Sequence, residues 1–267
     1  MRRLLPDVAV KQINSRDNPL FKELLKLTRL SRQRSQSGQT LLDGTHLLAA
    51  YLDVGLMPCH VLLNAAALHD HEIAALLRRM KEVPITQLND KLFAELSELK
   101  TPTGILALID IPLADATATQ SGFALLLEDV QDPGNLGSML RSAAAAGCDA
   151  VFLSKGCADA WSPKVLRAGM GGHFVLGIHE SADLLDVAVQ FRGRVYAAAL
   201  GVTKNLYGCD LRGEIAFAIG NEGAGLSADL LNVSQSVSIP MPGKIESLNA
   251  AAAAAVCLFE AVRQRLR

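Results

Sequence analysis

The chain has 267 residues, half of them hydrophobic, 20% charged and 4% aromatic, and its formal net charge is −1. This composition can fill the core of one large domain or two ordinary ones, and it excludes a largely disordered chain. No run of about 18 apolar residues occurs, so we expect no membrane-spanning helix, and the apolar segment behind Arg2 and Arg3 is too short for a secretory signal.

The five cysteines are scattered, and no two of them stand at the Cys-x-x-Cys spacing. They therefore indicate neither a zinc site nor a disulfide framework, and the six histidines form no obvious ligand set. The simplest interpretation is a cytoplasmic protein without a metal site, whose cysteines stay reduced and fill the core.

The small net charge hides a gradient along the chain. Residues 1–40 hold nine Lys or Arg and three Asp or Glu, which gives +6, whereas the other 227 residues hold 17 bases and 24 acids, which gives −7. A basic arm on an acidic body is typical of proteins that bind a polyanion. A solvated helical face explains the charge equally well.

Helix and strand patterns alternate in the first half of the chain. Leucines at three-residue spacing predict a helix over 20–35. Further helices are predicted at 46–52, at 72–83 and, behind an Asn89 cap, at 90–99. Apolar and β-rich runs predict strands at 39–43, 59–64 and 104–111. These elements form a small α/β domain that ends at residue 111.

Residues 112–121 contain Pro, small polar residues and little that can pack, so we interpret them as a linker. The second domain, 122–267, alternates again. Its helices are predicted at 136–147, 164–170, 182–191 and 248–267. Its strands are predicted at 123–130, 150–154, 174–178, 194–200, 214–220 and 235–241. Together they predict an α/β domain on a buried parallel sheet with helical crossovers.

Three loops of this second domain carry the candidate chemistry, and each follows a strand. The first, 131–137, has Pro133 and Gly134 for its turn and Asn135 as the expected helix N-cap. Arg141 lies in the second turn of the helix that follows, at the side of the apolar stripe. These groups share the carboxyl edge of the sheet, where ligands of open α/β folds bind. An ordinary capped helix with a surface arginine is the alternative.

The second loop, 220–227, places three glycines around Glu222 directly after an apolar strand. Such glycines permit close backbone approach, and after a buried strand a crossover is expected rather than a surface hairpin.

The third loop, 239–249, leads into an alanine-rich helix that Ser247 or Asn249 can cap. The six alanines at 250–255 allow a close approach to this helix, for which a second copy of the chain is one candidate.

Other catalytic templates fail, including the phosphate loop and the zinc-protease and serine-hydrolase signatures. The glycine pattern around Asn135 is an incomplete G-x-G-x-x-G, so a nicotinamide-dependent oxidoreductase on a Rossmann-like sheet is only weakly supported. A non-catalytic RNA-binding protein is a second alternative.

Taken together, the three loops resemble motifs 1, 2 and 3 of the SpoU (TrmH-like) RNA 2'-O-ribose methyltransferases of the SPOUT class. The segments that carry the resemblance are LLEDVQDPGNLGSMLRSAAAAG, FAIGNEGAGLS and IPMPGKIESLNAAAAAAV. Three N-terminal segments resemble, more loosely, the family's L30e-like substrate-binding domain. These are INSRDNPLFKELLKL, GQTLLDGTHLL and TPTGILAL.

The resemblance implies an enzyme that transfers a methyl group from S-adenosylmethionine to a ribose 2'-hydroxyl of ribosomal or transfer RNA. It also implies a trefoil-knotted catalytic domain that forms a homodimer. The family's signature polar positions map to Asn135, Arg141, Glu222, Ser247 and Asn249. Its cofactor contacts map to Leu200, Gly201, Gly220, Ile239, Met241, Ser247, Leu248 and Asn249.

The same resemblance suggests how the residues divide the work. Arginine is a poor base in general, so we expect Arg141 to bind an RNA phosphate and stabilise the forming alkoxide. Glu222 is expected to orient Arg141 or to accept the proton, while Asn135 and Asn249 hold the geometry. The remaining RNA contacts are assigned to the basic arm. They are Arg16, Lys22, Lys26, Arg29, Arg32 and Arg34.

Overall fold

The computed structural model describes residues 11–99, 101–114 and 121–266. The chain divides into two compact units. The first takes in the chain up to Pro112 together with Trp161–Phe174, and the second takes in Leu113–Ala160 and the chain from Val175 onward. No helix among the described residues is long and apolar enough to cross a bilayer.

The first unit is built on a five-stranded mixed sheet. Its strands are β1 (Lys11–Ile13), β2 (Gln39–Asp43), β3 (His60–Leu63), β4 (Ile85–Leu88) and β5 (Ile105–Asp110). They lie in the order β1-β4-β3-β5-β2, with β1, β4 and β3 parallel and β5 antiparallel to both of its neighbours. The helices before β5 are α1 (Pro19–Arg29), α2 (Ser31–Ser37), α3 (Thr45–Asp53), α4 (His71–Arg79) and α5 (Asp90–Leu96).

The helix predicted over 20–35 is two helices. Leu30 has extended backbone between α1 and α2, and α1 therefore ends with carbonyls that lack helical partners. Arg34 on α2 reaches back and donates to one of them, the Leu27 carbonyl. The Arg34 side chain is consequently buried, with 4% of its surface exposed. The prediction that Arg34 is an exposed RNA contact is therefore wrong.

One segment of the second half packs in the first unit. Helix α7 (Pro163–Gly169) lies against β2, where the Thr40 hydroxyl donates to the Trp161 carbonyl at 2.8 Å. The Tyr51 and Phe174 rings meet edge to face, 5.1 Å apart. Packing thus assigns to the first unit a helix that the sequence analysis counts in the second domain.

The second unit has a six-stranded sheet, and all of its strands are parallel. The strands are β6 (Phe123–Leu127), β7 (Ala150–Leu153), β8 (Gly177–His179), β9 (Arg194–Ala198), β10 (Ile215–Ile219) and β11 (Gln235–Val237). Their order is β11-β9-β10-β6-β7-β8, and β6, β7 and β10 are buried along their whole length. The fold class predicted from the sequence is confirmed. The trefoil knot stays a prediction.

Helices follow most of these strands along the chain. Those of the second unit are α6 (Pro133–Ala146), α8 (Leu184–Gln190), α9 (Ala228–Val233) and α10 (Ala250–Arg265). Helix α9 was not predicted, because its six residues are too few for a clear periodicity. All five cysteines are free, and burial raises the pKa of the Cys148 and Cys257 thiols to about 12. Cys148, Cys209 and Cys257 are buried in the core, as the sequence suggested, whereas Cys59 and Cys157 are only half-buried.

The last turn of α10 fastens the segment that leads into β10. Gln264 accepts from the Leu211 nitrogen at 2.9 Å and donates to the Cys209 carbonyl at 3.0 Å. Arg265 donates to the Leu211 and Gly213 carbonyls, and its guanidinium lies 4.0 Å from the centroid of the Phe123 ring. The C-terminal helix is therefore tied to the central strands.

Replacing Arg265 with Ala removes two charge-assisted hydrogen bonds and a cation–π contact. We expect the free energy of unfolding to fall by about 2 kcal/mol, measured by urea denaturation. Arg212→Ala is the matched control. Among the described residues, the side chain of Arg212 contacts only Asp210, in an exposed ion pair that contributes little. Equal denaturation midpoints for Arg265→Ala and the wild type would contradict this role.

Candidate active site

The site forms where neighbouring parallel strands end. Leu127 of β6 and Ile219 of β10 are in register, and the Glu128 nitrogen donates to the Ile219 carbonyl at 3.0 Å. The first and second loops therefore start side by side, at the carboxyl edge where open α/β sheets bind ligands.

The first loop differs from its prediction at the helix cap. Asp132, rather than Asn135, caps α6, and its side chain accepts from the Asn135 nitrogen at 2.7 Å. Pro133 then occupies the first helical position, which suits its fixed φ. An Asp directly before a Pro was the signal for this cap. Asn135 lies inside the first turn, and its side chain is left available for contacts across the loops.

A chain of hydrogen bonds joins all three loops. The Asn249 side-chain oxygen caps α10 by accepting from the Ala251 nitrogen at 2.9 Å and the Ala252 nitrogen at 3.2 Å. Its amide nitrogen donates to Asn135 Oδ1 at 3.0 Å. Asn135 Nδ2 in turn donates to Glu222 Oε1 at 2.5 Å. Three of the five predicted catalytic residues are thus in direct contact.

The second loop is wound tightly after β10. Asn221 Oδ1 accepts from the Gly223 and Ala224 nitrogens at 2.8 and 3.0 Å, and the Gly225 nitrogen donates to the Asn221 carbonyl at 2.9 Å. A Cβ on Gly220 would overlap the Gly225 carbonyl and the Leu226 nitrogen. The close backbone approach that the glycines predict therefore occurs at Gly220.

A cavity of about 420 Å³ lies against these loops, within the range of about 300–1,000 Å³ that small-molecule sites occupy. Six of the predicted cofactor contacts line it: Leu200, Gly220, Ile239, Met241, Ser247 and Leu248. Gly201 and Asn249 do not line it but each follow a lining residue in the chain. Glu222 and Asn221 also line the cavity, so it adjoins the hydrogen-bonded chain.

The walls of the cavity suit a nucleoside with a polar tail. Apolar side chains come from β11 and the loop behind it, and polar side chains come from Asn221, Glu222 and Ser247. The segment behind β9 is held in place because the Ala199 nitrogen donates to the Val237 carbonyl and Ser238 accepts from Leu206. Several small residues also line the cavity, such as Ala198 and Ala253, and they could not be predicted because alanines carry no distinctive sequence signal.

Arg141 is exposed on α6, and within the described part of the chain it forms no ion pair or side-chain hydrogen bond. Glu222 contacts Asn135 instead, so the expected pairing of Glu222 with Arg141 does not occur in this structure. Ser247 is exposed and lines the cavity, and Asn249 provides the cap of α10.

Some of the basic side chains predicted to bind RNA form ion pairs in the first unit, and others do not. Arg16 lies 2.7 Å from Glu95, and Lys22 lies 2.8 Å from Asp17, whose pKa it lowers. Lys26, Arg29 and Arg32 are exposed, and no ion pair reaches them from the described residues. Arg34 is buried. Among the residues that the structure describes, no three His, Cys, Asp or Glu side chains lie close enough to hold a metal ion together.

Comparison with known proteins agrees with this geometry. Residues 122–259 match the model of the SpoU rRNA methylase family, and residues 18–107 match an MRM3-like substrate-binding domain. An uncharacterized tRNA/rRNA methyltransferase of Synechocystis is 33% identical over 99% of this chain and 97% of its own length. The 23S rRNA (guanosine(2553)-2'-O)-methyltransferase RlmP of Bacillus subtilis is 31% identical over 94% of this chain and 98% of its own length.

Solved structures show the same likeness. A crystal structure of an RNA 2'-O ribose methyltransferase has a TM-score of 0.82 and 30% identity, and the match covers 96% of this chain and all of that one. The SpoU methyltransferase AviRb of Streptomyces viridochromogenes, solved with AdoMet bound, has a TM-score of 0.81 and 26% identity over 93% of this chain and 99% of its own.

A parallel sheet with a small-molecule cavity at its carboxyl edge, next to a hydrogen-bonded chain of polar side chains from three loops, is the architecture of an α/β enzyme. The chain belongs to the SpoU rRNA methylase family. The predicted class, an RNA 2'-O-ribose methyltransferase that uses S-adenosylmethionine, is confirmed, and neither alternative is favoured.

The crowding at Gly220 yields a test of the cavity. Gly220→Ala forces the glycine loop to shift, because the new methyl group overlaps backbone atoms of Gly225 and Leu226. We expect affinity for S-adenosylmethionine to fall by about tenfold or more, as measured by calorimetry. Gly208→Ala is the control, since nothing lies near its Cβ position. Unchanged affinity in Gly220→Ala would show that this wall does not form the cofactor site.

Proposed function

We propose that this chain methylates a ribose 2'-hydroxyl of ribosomal RNA, and that the cavity described above holds its S-adenosylmethionine. One observation carries the proposal: the side chains of Asn135, Glu222 and Asn249 come from three separate loops and form one hydrogen-bonded chain, which reaches the cavity at Glu222. The Bacillus subtilis relative is named a 23S rRNA methyltransferase, which favours ribosomal RNA, whereas the name of the Synechocystis relative gives both tRNA and rRNA.

The residues present fit the cofactor. Gly220 leaves room that a Cβ would fill, the apolar ends of β10 and β11 line the cavity, and Glu222 and Ser247 add polar groups to it. Such walls suit an adenine ring and a charged amino-acid tail. When bound, S-adenosylmethionine supplies a methyl group activated by its sulfonium.

The protein's own part in the reaction is to position the RNA and manage charge. Arg141 is exposed and free of ion pairs among the described residues, so its guanidinium can bind an RNA phosphate and stabilise the developing alkoxide. Glu222 has one oxygen engaged by Asn135. Its other oxygen can accept a hydrogen bond from the ribose hydroxyl.

The first unit is proposed to bind RNA, with residues 1–111 as the substrate domain, 112–121 as the linker and 122–267 as the catalytic domain. The match of residues 18–107 to a substrate-binding domain supports this division. Exposed Lys26, Arg29 and Arg32 offer positive charge for phosphates. Arg34 is removed from the proposed contacts because it is buried.

We further propose a homodimer through the second unit, in the cytoplasm. Helix α10 and its C-cap residue leave apolar side chains uncovered at helical spacing, among them Ala252, Phe259 with 47% of its surface exposed and Leu266 with 83%. Symmetric pairing would cover such a face, and light scattering of the full chain tests whether two copies associate. Five free cysteines suit a reducing compartment.

Comparing ribose methylation in total RNA from cells with and without the gene tests the substrate. We expect one or a few 2'-O-methyl sites to disappear from ribosomal RNA, while transfer RNA keeps its full set. A loss confined to transfer RNA would contradict the proposed substrate and leave the reaction standing.

Arg141→Ala separates chemistry from binding. We expect the single-turnover methyl-transfer rate at saturating RNA to fall by about two orders of magnitude, with cofactor affinity unchanged. Arg192→Ala, which removes an exposed arginine elsewhere in the second unit, is the control. A rate near that of the wild type would reduce Arg141 to a docking residue and move the chemistry to Glu222.

The basic arm predicts a salt effect. Changing Lys26, Arg29 and Arg32 together to Gln removes charge that is exposed and unpaired among the described residues. RNA affinity should fall, and the slope of log affinity against log salt should flatten by about 0.7–0.9 for each phosphate that the variant no longer neutralises. Arg78→Gln on α4 serves as the control. An unchanged slope would place the RNA-binding surface elsewhere.

A further inference from the structure

We propose that Asn221 is a positioning residue of the methyl-transfer site, in which its amide oxygen and amide nitrogen have separate tasks. This inference rests on the proposed function. Asn221 is absent from the signature positions that sequence analysis assigned, and it precedes Glu222 directly. The oxygen shapes the wall of the cavity, and the nitrogen fixes the distance between Glu222 and the loop that carries Asn135.

The oxygen folds the glycine loop. Asn221 Oδ1 accepts from both the Gly223 and the Ala224 nitrogen, at 2.8 and 3.0 Å. These two donors follow Glu222, so the side chain of Asn221 closes a turn around that residue. Asn221, Glu222, Gly223 and Ala224 all line the cavity. Losing the acceptor would release two backbone amides and loosen this wall.

The nitrogen anchors the second loop to the short segment between β6 and the first loop. Asn221 Nδ2 donates to the Asp129 carbonyl at 2.9 Å. Asp129 follows β6 and has a backbone φ of 53°, a left-handed conformation that residues other than glycine rarely adopt. Ser154, which follows β7, holds it there through a bond of 2.6 Å to Asp129 Oδ1 and one of 2.9 Å from the Asp129 nitrogen.

A series of side chains thus links the ends of β10, β6 and β7. A second bond runs parallel to it, from the Ser227 nitrogen to Glu128 Oε2 at 2.7 Å. Asn135 is six residues beyond Asp129 in the same connection. One segment runs from Asp129 to Asn135 and the other from Asn221 to Glu222, and their side chains meet in the bond between Asn135 and Glu222. The bond between Asn221 and Asp129 therefore fixes the start of both segments.

Replacing Asn221 with Asp separates the two tasks. A carboxylate keeps an acceptor for the Gly223 and Ala224 nitrogens, but it has no proton to donate to the Asp129 carbonyl. Its second oxygen would instead face the carbonyl oxygen, and two acceptors repel each other. Asn221→Ala loses both functions. Asn221→Ser, which keeps a short hydroxyl acceptor, replaces Asn221→Ala should that variant fail to fold. Asn232→Asp on the exposed side of α9 makes the same charge change outside the site.

Four quantities are measured on the full chain: S-adenosylmethionine affinity by calorimetry, single-turnover methyl transfer at saturating cofactor and RNA, RNA affinity and the melting temperature. In Asn221→Asp we expect cofactor affinity within about threefold of the wild type and a transfer rate lower by about tenfold or more. In Asn221→Ala we expect cofactor affinity to fall by about tenfold or more as well. RNA affinity should not change, and Asn232→Asp should match the wild type.

Two results would overturn the proposal. One is wild-type cofactor affinity and transfer rate in both Asn221 variants. The other is an equal loss of cofactor affinity and transfer rate in Asn221→Asp and Asn221→Ala, in proportion to the fall in melting temperature. That is the behaviour of a residue with a structural role alone. A wild-type chain that fails to bind S-adenosylmethionine would instead refute the proposed function on which this inference rests.

Discussion

The hydrogen-bonded chain from Asn249 through Asn135 to Glu222 is the constraint on which the site depends. Its direction is set at one end, because the Asn249 oxygen is committed to the first amides of α10. The Asn249 nitrogen must then donate, Asn135 must accept with its oxygen, and the nitrogen of Asn135 is left to donate to Glu222. A helix cap thereby orients a carboxylate that belongs to a different loop.

The topology of the second unit's sheet makes this contact possible. Strand β10 lies between β6 and β9, so the second loop emerges beside the first, and the third leads into a helix that packs against α6. Every strand of this sheet is parallel, and the loops that bear polar groups therefore meet at a single edge. The contact also needs a firmly held C-terminal helix, because Asn249 caps that helix. Gln264 and Arg265 hold its other end.

The sequence predicted the elements and loops whose patterns are local. Buried strands such as β6 and β10 are short apolar runs, and the glycine loop and the polar helix starts have distinctive residues, so the three motifs could be found without a structure. Asn135 was misplaced as a cap because Asn is a common cap, whereas Asp132 before Pro133 takes that position.

Contacts between distant residues could not be predicted in this way. Nothing in the sequence near Arg34 shows that its side chain turns back to the Leu27 carbonyl, since that depends on the break at Leu30. The packing of α7 against β2 joins residues more than a hundred positions apart. Likewise, the pairing of Glu222 with Asn135, rather than Arg141, follows from side-chain directions that only the folded loops determine.

The most direct test of the account is to identify the atom that receives the methyl group. The full chain is incubated with ribosomal RNA and S-adenosylmethionine that carries a labelled methyl group, and the RNA is digested to nucleosides for mass spectrometry. We predict label on the ribose 2'-oxygen, detected also as a phosphodiester bond that resists alkaline hydrolysis. Label on a base, or RNA left unlabelled by a chain that binds the cofactor, would contradict the account.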